Sequence, residues 1–199
     1  GDTICVEAGS YDEDVTIDVE DLTLEGPNSG TAGYDDRDDE ATVAGRVVLS
    51  ADGTTLDGFD VSPPDAEENQ ESEAVRASNT PNDVTIANNV VRDFARDDPG
   101  GSFYGVDGIN IFGGDAGEAI EDATVRRNLV RNLRNEDQAG AAGISIQGNV
   151  DGATVEDNVV TEMAEEVTAY GFGVVIRGTG NHEEVPEDVD VTGNDLHDM

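Results

Sequence analysis

The chain has 199 residues, with 46 acidic against 10 basic side chains and a formal net charge of −36. That balance sets nucleic acid and anionic membranes aside as partners, and no apolar run approaches the roughly 18 residues of a membrane-spanning helix. Leu, Ile, Val and Phe supply 45 of the 199 residues, just above the roughly 20% that marks disordered chains, so a lean core is available.

All basic residues are Arg and the acidic excess runs along the whole chain. This points to adaptation to high salt, where a Debye length of about 3 Å at 1 M removes the mutual repulsion of so many like charges. Val and Ile total 33 against 9 for Leu and Met. β-Branched residues favour extended backbone, so the chain is expected to be all-β.

In chain order, GDTICVEAGSYDEDVTI (residues 1–17) opens with short apolar alternations, and Cys5 within it reads as a small core residue. As the only cysteine it excludes an internal disulfide. Residues 21–26 (DLTLEG) carry a weak repeat. Residues 34–40 (YDDRDDE) read as a solvated loop that fails the EF-hand pattern, because Arg37 puts a cation at the third position and Glu40 replaces the Gly. Arg46–Leu49 and residues 54–61 (TTLDGFDV) give two more apolar alternations, and Pro63-Pro64 ahead of the acidic run 65–73 can start one short helix.

From there a repeat is plain. DVTIANNVVRDF at 83–94 recurs as DATVRRNLVRNL at 122–133, GATVEDNVVTEM at 152–163 and DVDVTGNDLHDM at 188–199. The aligned asparagines Asn89, Asn128, Asn158 and Asn194 are 39, 30 and 36 residues apart, so the intervening loops differ in length. A second motif precedes each copy: AVRA at 74–77, GINI at 108–111, GISI at 143–146 and GVVI at 173–176. Two or three short strands per repeat are what one coil of a solenoid needs, each strand pairing with its equivalent in the next turn. A recurrent Asn at a turn then serves the scaffold, its amide bonding the Asn above and below.

The opening segment and the asparagine-bearing repeats resemble right-handed parallel β-helix proteins of the pectin lyase-like superfamily, in particular the NosD-like, carbohydrate-binding and sugar-hydrolysis repeat proteins of haloarchaea. The likeness spans nearly the whole chain. It implies one right-handed parallel β-helix of about five to six coils over residues 1–199, expected to be a fragment of a longer chain, with end-to-end or lateral self-association as an option for its open edges. It also implies an extracellular or cell-surface location. Catalytic motifs of such relatives are missing: His182 and His197 lie in no Gly-His-Gly turn, and Asp97-Asp98-Pro99-Gly100 lacks the last two residues of an Asp-Pro-His-Glu signature. Two His, two Met and one Cys are too few for a copper role.

Period-two alternation gives the outer surface. With Val75, Ile109, Ile144 and Val174 inward, Arg76, Asn110, Ser145 and Val175 form one outward row, and Ser78, Phe112, Gln147 and Arg177 the next. Phe103, Tyr104, Tyr170 and Phe172 border these rows in the loops leading into them. Aromatic faces beside Arg, Asn and Gln suit sugar rings, which offer C–H faces and hydroxyl edges. Arg76, Tyr104, Asn110, Phe112, Gln147, Tyr170 and Arg177 are therefore the expected ligand-binding residues; the competing reading has the aromatics pack the coil edge. Asp107 and Glu73 are the only carboxylates nominated for acid/base chemistry. No metal site and no cofactor are expected, calcium being admissible only as unspecific association with acidic loops. The leading function is a rigid structural, filament or adhesion module that binds glycans or other surface proteins. A polysaccharide lyase or hydrolase acting on an acidic polysaccharide is the alternative.

Overall fold

The computed structural model describes residues 1–66, 72–96, 105–114, 119–135, 140–163, 170–178 and 184–199. Among these there is no helix, and every strand pair is parallel. Three long sheets wrap a single core. The first face stacks Thr3–Cys5, Thr23–Glu25, Thr55–Asp57, Thr85–Ala87, Thr124–Arg126, Thr154–Glu156 and Asp190–Thr192. The second stacks Gly9–Tyr11, Ala41–Val43, Asp60–Val61, Val90–Arg96, Leu129–Asn135, Val159–Met163 and Asp195–Leu196. On the third lie Val15–Ile17, Val47–Leu49, Glu73–Ala77, Val106–Phe112, Ala141–Gln147 and Gly171–Arg177. The chain visits the faces in that order, rung after rung, which makes it a parallel β-solenoid of the size the repeats predict.

The core follows from register. On the first face Leu24, Leu56, Ile86, Val125, Val155 and Val191 lie side by side; on the second, Val43, Val61, Val91, Val130, Val160 and Leu196 do the same. Their neighbours along each strand point away from the core, because side chains alternate across a strand. Cys5 corrects the sequence expectation. Ile4 takes the inward position, so Cys5 on its other side faces out and is exposed, with Sγ 3.9 Å from Glu25 Oε2.

The turn between the first and second faces is built the same way in successive rungs. The residue before each ladder position has a left-handed backbone: Gly58, Asn88, Arg127, Asp157 and Gly193, with φ between 52° and 83°. The following asparagines stack in a column. Asn89 donates through its backbone N–H and Nδ2 to Asn128 Oδ1 (2.9 and 3.2 Å), Asn128 likewise to Asn158 (2.9 and 3.0 Å), and Asn158 to Asn194 (both 2.9 Å). Each Nδ2 also donates to a carbonyl one rung back: Leu56, Ile86, Val125 and Val155. Phe59 occupies the same position in the preceding rung, its N–H bonding Asn89 Oδ1 at 2.9 Å. The four amides are thus the backbone's own hydrogen-bond partners where the chain turns away from sheet pairing.

Two loop expectations change. Arg37 does not sit in a fully solvated loop: its side chain is 7% exposed and pairs with Glu40 through Nε (2.7 Å) and Nη2 (2.9 Å), while Nη1 donates to the carbonyls of Thr31 and Asn88. The acidic neighbours Asp35, Asp36, Asp38 and Asp39 remain exposed. After Pro63-Pro64 no helix begins, and Ala66 instead bridges to Arg96 in parallel; the residues that would continue that helix, 67–71, lie outside the described set.

Candidate functional site

From the Glu73–Ala77 strand onward, the third face departs from simple alternation at one position per rung, and this creates the site. Pairing runs Asp107 with Glu73 and Ala142, then Ile109 with Val75 and Ile144, leaving Ala74, Gly108 and Gly143 out of the ladder; Gly173 is skipped likewise. A Cβ on Gly108 would come within 2.6 Å of Val130 Cγ1, one on Gly143 within 2.3 Å of Val160 Cγ1, and one on Gly173 within 2.8 Å of Leu196. These glycines therefore face inward against the second-face core, and the isoleucine or valine that follows faces inward too. Two consecutive inward positions kink each strand alike with the register unchanged, which re-aims the residue before them. Asp107 turns outward onto the same surface as Asn110.

Three outward rows result. The first is Glu73, Asp107, Ala142 and Phe172. Next to it runs Arg76, Asn110, Ser145 and Val175, and then Phe112, Gln147 and Arg177, both as the sequence alternation predicts. Glu73 and Asp107 lie within strands and pair laterally, one rung apart.

Polar contacts tie the rows together. Asn110 Nδ2 donates to Asp107 Oδ2 at 2.9 Å, and Arg177 Nη2 reaches the same oxygen at 3.2 Å from two strands away. Arg177 Nε also donates to Gln147 Oε1 (3.2 Å). At the other end Arg76 Nη1 lies 3.6 Å from Glu73 Oε1, and its guanidinium sits 4.5 Å from the Phe112 ring centroid, within cation–π range. Asp107, Asn110 and Ser145 are 3%, 1% and 0% exposed although they face outward. Burial drives the Asp107 carboxyl up to about 6; Arg177, Asn110 and Arg76 oppose the rise and Glu73 adds to it. Glu73 Oε2, Asn110 Oδ1 and Ser145 Oγ are buried with no hydrogen-bond partner among the described residues.

Of the expected binding residues, Arg76, Asn110, Phe112, Gln147 and Arg177 meet on this surface. Tyr170, 70% exposed, stands at its edge with its ring 6.4 Å from that of Phe172, itself 44% exposed and in the Asp107 row. These two aromatics do not fold back into the coil. Tyr104 and Phe103 lie outside the described residues. Ser145 belongs to the site although it was not among the expected binding residues; its place in the outward row, read from the alternation, was the available signal. Among the described residues no group of three or more His, Cys, Asp or Glu is arranged to hold a metal ion.

Fold and site together define a parallel β-solenoid with a buried polar surface on one face. Compared with known proteins, the chain matches no family model, no curated protein and no solved structure.

Proposed function

We propose that the chain is a rigid, salt-adapted module of the extracellular or cell-surface β-helix type, related to the pectin lyase-like proteins, that binds a glycan on its third face. One observation carries this: the exposed aromatic pair Tyr170–Phe172 shares the outer surface of the third face with the partly exposed Gln147 and Arg177, an apolar platform and polar side chains on one face. The exposed Tyr170–Phe172 pair supplies the apolar platform on which a sugar ring stacks. The net charge of −36 supports the salt adaptation and the exclusion of nucleic acid. No cofactor enters this reading.

The test is a glycan array read with labelled protein at molar salt. Retention on a defined subset of glycans, lost in Tyr170→Ala/Phe172→Ala, is the expected result. Retention by none of them overturns the proposal.

Asp107 favours a second reading, a glycoside hydrolase or lyase. A carboxyl held near 6 serves as a general acid, and its lateral partner Glu73 stands one strand spacing away, about 4.8 Å between backbones. Release of reducing ends or unsaturated products from a bound glycan, abolished by Asp107→Asn, supports the enzyme; binding with no product removes it.

A further inference from the structure

Away from the third face, the segment from Gly26 to Glu40 joins the first- and second-face strands of the second rung, Thr23–Glu25 and Ala41–Val43, and reaches the backbone of three later rungs at the corner between those faces. We propose that this segment is a latch: pinned by Arg37, it opens and closes as one unit over the corner while the solenoid beneath stays wound.

The left-handed corner provides the catch. Asn88 and Arg127 donate their N–H groups to the carbonyls of Arg126 and Glu156 one rung on, while their own carbonyls take no part in rung-to-rung pairing. Such carbonyls need a donor from water or from the chain, and the segment supplies one to each. Arg37 Nη1 donates to Asn88 O at 2.6 Å, and the Gly33 N–H to Arg127 O at 2.9 Å. Arg37 Nη2 also reaches Phe59 O at 3.4 Å. Closure needs glycine at 33, because a Cβ there would lie 2.3 Å from Asn89 O and 2.5 Å from Leu129 N, backbone atoms of two successive rungs.

Internal bonds make the segment one unit. Arg37 holds Glu40 through Nε and Nη2 and the Thr31 carbonyl through Nη1. Asn28, itself buried, donates through Nδ2 to Asp38 O at 3.3 Å and accepts from the Asp38 N–H at 2.8 Å. Against the solenoid, by contrast, the contact is mostly polar. Ala32 is the one apolar side chain buried in the segment, whereas Pro27 and Tyr34 are exposed. Elements with few buried apolar contacts open at lower free energy than the core, and the asparagine column stands on a full aliphatic core. Both ends of the segment stay in the ladder, the Gly26 N–H on Asp57 O and the Glu40 carbonyl under the Gly9 N–H. Ser29 and Gly30 bond the Asp57 carboxylate beside the first of these ends. No strand pair runs through residues 27–39, so opening leaves every sheet intact.

The experiment is residue-resolved amide hydrogen exchange by NMR at molar salt on wild type, Arg37→Gln and Gly33→Ala, with circular dichroism showing that each is folded. In wild type the amides of Thr31, Gly33 and Asp38, all hydrogen-bonded in the closed latch, are expected to share one protection factor, lower than that of Asn89, Asn128 and Asn158 in the column. Arg37→Gln is expected to lower the shared factor by about tenfold or more, as loss of a charge-assisted hydrogen bond does. Gly33→Ala, which disturbs a different contact, is expected to lower the same factor for all three amides, and neither variant to change the column. Latch protection equal to the column's in wild type overturns the proposal, because the segment then opens only with the solenoid. Unrelated factors at the three amides, or a variant that alters only its own contact, overturn the single unit. Latch protection unchanged in folded Arg37→Gln overturns the pin, and column protection that falls with the latch's in both variants overturns its independence.

Discussion

At the scale of single residues, the asparagine column and Asp107 are buried polar groups with opposite accounts. Asn128 accepts from two donors on Asn89 and donates to Ile86 and Asn158. Asn128→Ala therefore orphans the backbone N–H of Asn89 and the carbonyl of Ile86, each costing about 1–3 kcal/mol. A loss of about 3 kcal/mol or more is expected in urea unfolding. Burial of the Asp107 carboxyl favours its neutral form. Its folded value of about 6 lies above the ordinary 3.8, so the native state binds the extra proton between those values. Stability from this group is present in full below about pH 4 and is lost as pH rises through 6. Asp107→Asn, neutral throughout, should gain on wild type across that window, by up to about 3 kcal/mol at pH 7.5, and match it near pH 4. A difference that stays constant with pH would contradict the buried, raised carboxyl.

At the scale of elements, the kink on the third face decides which side chains meet. Strict alternation from Ile111 through Ile109 sends Asp107 into the core; the inward Gly108 reverses it. Gly108→Ala places a Cβ 2.6 Å from Val130 Cγ1 and 2.9 Å from Leu133 Cδ1, both fully buried. Overpacking of this kind costs about 1–3 kcal/mol. The variant should also release Asp107 from its bonds, moving its titration by NMR from about 6 toward the ordinary carboxylate range. Ala74 occupies the equivalent place one rung earlier with its Cβ accommodated, so Ala74→Gly is expected to change stability by no more than about 1 kcal/mol.

At the scale of the molecule, each rung touches only its neighbours, and stability is a sum of rung and interface terms. The column makes this visible: Asn158 is bonded on both sides, whereas Asn194 is half-buried and accepts only from Asn158. Asn194→Ala is accordingly expected to cost less than Asn128→Ala in the same assay. The acidic surplus acts over the whole surface at once. Lowering the salt from molar to about 10 mM extends the Debye length to about 30 Å, and unfolding followed by circular dichroism is expected on that dilution. An unchanged spectrum would remove the salt-adaptation reading.

The solenoid was legible in the sequence because its signals are local and repeated: period-two alternation for the strands, and an Asn at one fixed place per copy for the turns. The outward rows through Arg76 and Phe112 were readable for the same reason, since alternation holds from the kink to the end of each strand. Cys5 misled because a small apolar residue fits either side of a strand, and only the inward stacking of Ile4 assigns it. Arg37 looked solvated because its carbonyl partners at Thr31 and Asn88 belong to different rungs. The sequence by itself thus determined the fold, whose contacts recur from one rung to the next. Tertiary structure alone decided the chemistry of the site, because the outward turn of Asp107 depends on core atoms of Val130 and Leu133, and its partner Arg177 arrives from 70 residues away.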